Sequence, residues 1–153
     1  MTLEEISQSL PNGFHDAEVR RIVLDYSKRT MEMEADVWVG TMKSPPETRE
    51  AYRLARLTVS GLLFCAIDQP GVAARVDDVP TVDDIETMKA APDPTGYCAW
   101  STPEAITLRP ELRSSMPAGT FLHTFYVFDW YSYIHVAAEN AELEWLTPVS
   151  YRE

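Results

Sequence analysis

Apolar and polar residues alternate most regularly between Thr30 and Val39, where Met31, Met33, Ala35, Val37 and Val39 interleave with Glu32, Glu34, Asp36 and Trp38. A period of two belongs to a half-buried strand. Ile22, Leu24 and Tyr26 alternate just before it, and Ser27-Lys28-Arg29 separates the two runs, so residues 18 to 26 and 30 to 39 are expected to pair as an antiparallel hairpin. Upstream, Thr2 followed by Glu5 has capping-box spacing, which predicts a short helix over residues 2 to 9, stopped by Pro11-Asn12-Gly13. Downstream, Ser44-Pro45-Pro46-Glu47 interrupts the ladder, because a proline has no amide to donate. A strand over residues 54 to 67 follows, with Ala55, Leu57, Val59, Gly61 and Leu63 on one face. The glycine inside it predicts a bulge or bend.

From Asp68 to Thr102 the composition turns to proline, glycine and acid, which reads as a loop-rich insertion. Within it, Thr81 and the acids Asp83 and Asp84 suit the start of a short helix over residues 82 to 89. Strands return over residues 105 to 109, 120 to 130, 133 to 138 and 141 to 146. Both faces of the second are apolar, Phe121, His123, Phe125 and Val127 against Leu122, Tyr126 and Phe128, so it is expected to be central. Glu139-Asn140 sits where a tight turn would join the last two as a closing hairpin. These elements predict one mainly β domain over residues 1 to 153, an antiparallel β-sandwich or strongly curved sheet with one or two short helices.

Charge narrows the partners. A net charge of −11 argues against nucleic acid, whose binding rests on Lys and Arg neutralising phosphates, and against an anionic membrane surface. A basic protein is the partner that this charge favours. The longest apolar run, Leu62 to Ile67, is far shorter than the roughly 20 residues of a membrane helix. The start of the sequence, Met1-Thr2-Leu3-Glu4-Glu5-Ile6, is not that of a secretory signal. Together with Cys65 and Cys98, which lack CxxC spacing and are expected as reduced thiols, this places the chain in the cytoplasm.

Chemistry-bearing motifs are few. There is no HExxH, GxSxG, GxGxxG or GxxxxGK[ST] run, and neither a catalytic set nor a cofactor or metal is assigned. Gly13-Phe14-His15-Asp16-Ala17 is the most distinctive segment, with His15 and Asp16 at the entrance to the first strand. In an extended chain these two point to opposite faces, whereas a turn allows them to meet. The alternative is structural, with Asp16 capping a turn and His15 bonded to neighbouring backbone. The acid run Asp77, Asp78, Asp83, Asp84 and Glu86 is either a solvated face or an interaction surface. Arg20-Arg21 and Arg49, Arg53 and Arg56 are expected to pair with surrounding acids.

Pro11-Asn12-Gly13-Phe14-His15-Asp16-Ala17-Glu18, with the two strands that follow, resembles the opening of small uncharacterised bacterial β-rich families that begin with a His-Asp-Ala motif. Some of these are similar to immunity proteins of polymorphic toxin systems. The resemblance covers roughly the first 40 residues and carries no catalytic residue with it. It implies a small β-rich cytoplasmic protein, and an immunity protein would need a surface that blocks a toxin's site. By charge and position, the candidate binding residues are His15, Asp16, Asp77, Asp78, Asp83, Asp84 and Glu86. Two other readings stand beside it. One is a metal-dependent or acid–base enzyme built on His15, Asp16 and His123 or His135. The other is a homodimer formed through aromatic strands, with Trp38, Trp130 and Trp145 at the contact.

Overall fold

The computed structural model describes residues 1–67, 96–102, 116–127 and 132–152, with residues 96–102 and Ser132 described by backbone alone. The chain opens with helix α1, Leu3–Ser9, where Thr2 and Glu5 form the expected capping box and Leu3 and Ile6 turn inward. Strands β1, Ala17–Asp25, and β2, Thr30–Trp38, form the predicted hairpin. A one-turn helix α2, Pro46–Arg49, follows the proline pair, with Pro46 where a missing amide costs nothing. Then come β3, Ala51–Ser60; β4, Phe64–Ile67; β5, Gly96–Thr102; β6, Phe121–Val127; β7, Ser132–Ala138; β8, Asn140–Trp145; and β9, Ser150–Tyr151.

All nine belong to one antiparallel sheet in the order β4-β7-β6-β5-β1-β2-β3-β8, with β9 on the start of β3. Six intervals therefore separate β3 from β4, and β7 from β8. At about 4.8 Å per interval a flat sheet would hold each pair roughly 29 Å apart. Only residues 61–63 join β3 to β4, and Glu139 alone joins β7 to β8. Four Cα steps reach at most about 15 Å. The sheet is consequently strongly curved, and its two halves, β8-β3-β2-β1 and β5-β6-β7-β4, face each other.

The corner is one two-stranded ribbon with a single bend. β3 pairs with β8 and β4 with β7 in nearly continuous register, from Ala55 opposite Trp145 through Ser60 opposite Asn140 to Ile67 opposite Ile134. Gly61 (φ +65°) makes the bend that a glycine in mid-run predicted. A side chain there would start 2.5 Å from Glu139 Cδ. Past the bend the inward phase changes, so Leu62 is buried while Leu63 is 38% exposed, in place of the single apolar face expected from Ala55 to Leu63.

The expected closing hairpin of residues 133 to 138 with 141 to 146 does not form. The edges of β7 are already taken by β4 and β6, so Glu139-Asn140 turns the chain around the corner to β3. The loop-rich insertion expected to run to Thr102 likewise ends earlier. Its last seven residues are β5, which bridges the halves by pairing with both β1 and β6. The helix expected over residues 82 to 89, the strand expected over residues 105 to 109, and Trp130 lie outside the described residues.

The core lies between the halves. Met31, Met33 and Val37 of β2 and Leu57 and Val59 of β3 belong to the same buried cluster as Phe125 and Val127 of β6 and Ile134 and Val136 of β7. Leu3, Ile6 and Leu10 of the α1 region and Phe14 complete it. Each such side chain, fully buried, contributes about 1.5–3 kcal/mol of transfer free energy. β6 is central, as its two apolar faces require: Phe125 on the core side and Thr124 on the other are both 0% exposed.

Candidate functional site

The turn between α1 and β1 places His15 and Asp16. Gly13 (φ +59°) and Asp16 (φ +60°) both adopt the left-handed conformation, which glycine takes freely and aspartate tolerates better than most residues. Asn12 anchors the turn from the side, its Nδ2 donating to the carbonyls of Trp38 at 3.2 Å and Gly40 at 2.9 Å. Phe14 enters the core and His15 is left outside. The turn lets adjacent side chains meet, and His15 Nδ1 lies 2.8 Å from Asp16 Oδ1.

The other two imidazoles occupy different surroundings. His123 is 1% exposed on the core side of β6, with its ring edge-on to Phe14 and Phe125. Neither of its ring nitrogens has a hydrogen-bond partner among the described residues, and burial pushes its pKa down to about 4. His135 lies on the opposite face of the same ladder, where it shares a 3.0 Å hydrogen bond with Thr124 and stacks on Tyr133. The three histidines thus sit on the surface, in the core and on the far face of β6 and β7. Among the described residues, no group of three His, Cys, Asp or Glu side chains is placed to hold a metal ion.

The structure assembles a polar cluster beside His15 and Asp16 that sequence reasoning missed. Asp36 occupies an outward position of β2, between Glu34 and Trp38, yet is 6% exposed. Its Oδ2 accepts from Arg20 Nε at 2.7 Å and from the Arg152 guanidinium at 2.6 Å. Arg152 also donates to Glu18. Its guanidinium carbon stands 4.1 Å from the centroid of the Tyr52 ring, a cation–π arrangement. The residues before Arg152 run as a strap along the start of β3, held by Arg152 N to Glu50 O at 2.9 Å and Ser150 Oγ to Tyr52 O at 3.2 Å. Tyr52 is 7% exposed, and its phenol is pushed up to about 12 by burial and then by the charge of Glu50, Arg152 opposing and Asp16 and Glu18 adding. The charges acting on this ring are thus Glu50, Asp16 and Glu18 against Arg152.

No protein-family model matches the chain, and no curated protein matches it. Among solved structures it is similar to an uncharacterized protein from Neisseria gonorrhoeae, with 11% sequence identity, 86% of this chain and 92% of that chain covered, and a TM-score of 0.43.

Next to the cluster, the outer face of β1, β2, β3 and β8 carries a cross-strand row of alternating charge. Arg21, Glu34, Arg56 and Glu144 follow one another across the four strands, with contacts of 3.7, 3.0 and 3.7 Å. A bulge between Val19 and Arg21 turns both Arg20 and Arg21 outward, so each meets an acid of β2. The neighbouring row holds Glu32 and Glu142 on either side of Thr58. The acid run Asp77, Asp78, Asp83, Asp84 and Glu86 lies outside the described residues.

Trp38 and Trp145 are the two tryptophans of the homodimer reading that lie among the described residues. Trp38, on the polar side of β2, is 7% exposed, because α2 and its flanks cover it and its Nε1 donates to Arg49 O at 2.9 Å. Trp145 packs partly against the core beneath the Arg53 guanidinium, 4.6 Å from the ring centroid. Cys65 is a free thiol, pushed up to about 11 by burial, with its Sγ 3.8 Å from Met31 Sδ. No helix among the described residues is long and apolar enough to cross a membrane.

Proposed function

We propose that the chain is a non-enzymatic protein-binding module whose acidic surface receives a basic partner, in the manner of an immunity-like inhibitor. The observation that carries this reading is the excess of acid on the outer side of one half of the sheet, where Glu18, Glu32, Glu34, Asp36, Glu142 and Glu144 stand against Arg20, Arg21, Arg56 and Arg152. The net charge of −11 adds a long-range field of the same sign. Such a field speeds encounter with a basic protein and makes the association fall with salt. The free thiol of Cys65 suits a reducing compartment, and the cytoplasm is the proposed setting.

Capture of binding proteins on the immobilised chain, washed at low and high salt, tests the reading. A basic protein held in stoichiometric amount at low salt and released at high salt supports it. Retention that ignores salt removes the electrostatic basis. For a nuclease toxin as partner, the carboxylates of Asp77, Asp78, Asp83, Asp84 and Glu86 would stand in for phosphates, and reversing their charge should abolish protection.

A second reading, acid–base or metal-dependent chemistry, narrows to His15 and Asp16 at their 2.8 Å contact, since His123 lies in the core and His135 on the far face of β6 and β7. Titration with zinc discriminates it. Saturable binding lost in His15→Ala favours a metal site, and no binding by the unaltered chain removes that version.

A further inference from the structure

We infer that Glu18, Asp36 and the face of Tyr52 form a receptor for a guanidinium group, filled within the chain by Arg152 and open to an arginine side chain of the basic partner once Arg152 withdraws. The inference rests on the binding reading above and names the contact within it. Two features select a guanidinium over a generic cation. Arg152 donates through one terminal nitrogen to Glu18 and through the other to Asp36, a forked arrangement that an ammonium lacks. The guanidinium carbon of the same group lies over an aromatic ring, 4.1 Å from its centroid. Asp36 and Tyr52, at 6% and 7% exposure, owe part of that burial to Arg152 itself, and Arg20 covers Asp36 as well.

The seat is also built to outlast the departure of its occupant. Arg20 stays on Asp36 through Nε at 2.7 Å, so the buried carboxylate retains a counter-charge, and Tyr52 keeps its 3.3 Å bond to Glu50. Arg152 itself is held from a strap whose neighbours Val149, Ser150 and Tyr151 are exposed, and the two-residue strand β9, with the bonds of Arg152 N to Glu50 O and Ser150 Oγ to Tyr52 O, ties the strap to the start of β3. An arginine from a partner would make the same contacts in exchange, so the cost is the detachment of a short strap. Excess carboxylate from Asp16 and Glu50 around the ring favours any incoming cation and gives the exchange its salt dependence.

The test uses the full chain and three blocked tripeptides, Gly-Arg-Gly, Gly-Lys-Gly and Gly-citrulline-Gly, titrated calorimetrically. Citrulline keeps the shape of arginine and removes its charge. The variant Arg152→Met empties the seat while leaving an apolar stem on Tyr52. The arginine peptide should bind this variant at least tenfold more tightly than it binds the unaltered chain, with the lysine peptide weaker and the citrulline peptide not bound. Adding Asp36→Asn to Arg152→Met should abolish the gain. Equal affinity of the arginine peptide for the unaltered chain and Arg152→Met, or equal affinity of the variant for arginine and citrulline peptides, overturns the inference. If Arg152→Met does not fold, Arg152→Lys replaces it, and the same ranking of peptides decides. If the peptide titration fails while salt-sensitive capture of a basic protein persists, this seat is excluded and the broader reading stands. If both fail, the broader reading falls as well.

Discussion

Arg29 and Glu139, 110 residues apart, meet at 3.0 Å across the Gly61 bend and mark the point where the two ends of the sheet come together. Arg29 also donates to the carbonyls of Gly61 at 3.2 Å and Leu62 at 3.1 Å, and Leu62 N returns a bond to Arg29 O at 2.9 Å. The corner is thus tied by backbone contacts as well as by charge. Its topology is what forces the curvature and sets the acidic outer face of β1, β2, β3 and β8 opposite the core.

The pair and the glycine should differ sharply in importance. Arg29 and Glu139 side chains are 51% and 55% exposed, so Glu139→Gln should cost under about 1 kcal/mol. Gly61→Ala, with φ at +65° and a Cβ 2.5 Å from Glu139 Cδ, should cost about 1–3 kcal/mol. Urea unfolding of the two variants measures the contrast, and equal losses would contradict this account of the corner.

Gly40 has a stricter requirement. A Cβ there would lie 1.9 Å from the Arg49 carbonyl oxygen, which is the acceptor for Trp38 Nε1, and backbone cannot move aside cheaply. Gly40→Ala should destabilise by about 2 kcal/mol or more, and Trp38→Phe, which removes the one hydrogen bond, by about 1 kcal/mol. Thermal unfolding followed by tryptophan fluorescence reports both, and an unaffected Gly40→Ala would mean that α2 and its flanks shift freely.

His123 makes stability depend on acid. Its pKa falls from 6.5 in the unfolded chain to about 4 in the fold because burial disfavours the imidazolium. Between those values the unfolded state binds more protons, so stability is whole above pH 6.5 and declines as pH drops towards 4. The shift corresponds to about 3 kcal/mol lost across that window. His123→Leu should abolish this component and leave stability at pH 7 equal or higher, since both ring nitrogens lack partners among the described residues. Unfolding at pH 7 and pH 4.5 for the two proteins decides, and an identical pH dependence in both would contradict it.

Asp36 should be costly to neutralise. Asp36→Ala removes the acceptor shared by Arg20 and Arg152, whose side chains are 50% and 34% exposed and so partly rehydrate. A loss of about 1–3 kcal/mol is expected, below that for a fully buried pair. Hydrogen exchange should show the β9 strap opening first, and unchanged protection of Arg152 N would contradict the tie to Asp36.

Local patterns were legible in the sequence and distant pairings were not. Met31 to Val37 alternate because one face of β2 meets the core, Thr2 and Glu5 cap α1 within one turn, and Gly61 marks the bend. Each is decided by neighbours in the chain. Glu139-Asn140 has turn-forming residues, but its topology depends on which strands already flank β7. β5 lacked legibility because a proline-rich, acidic run precedes it and its place in the sheet comes from β1 and β6. Asp36 reads as one of three solvated acids on β2, and what buries it includes Arg152, 116 residues away. His15 and Asp16 stood out correctly as a pair whose meeting required a turn.

The most direct measurement of the central claim is capture of partners, across a salt series, on the unaltered chain and on Glu32→Lys/Glu142→Lys/Glu144→Lys. The account predicts that a basic protein is retained at low salt by the unaltered chain, is released as salt rises, and is lost from the triple variant while that variant remains folded. Equal retention by both proteins, or retention indifferent to salt, would contradict it.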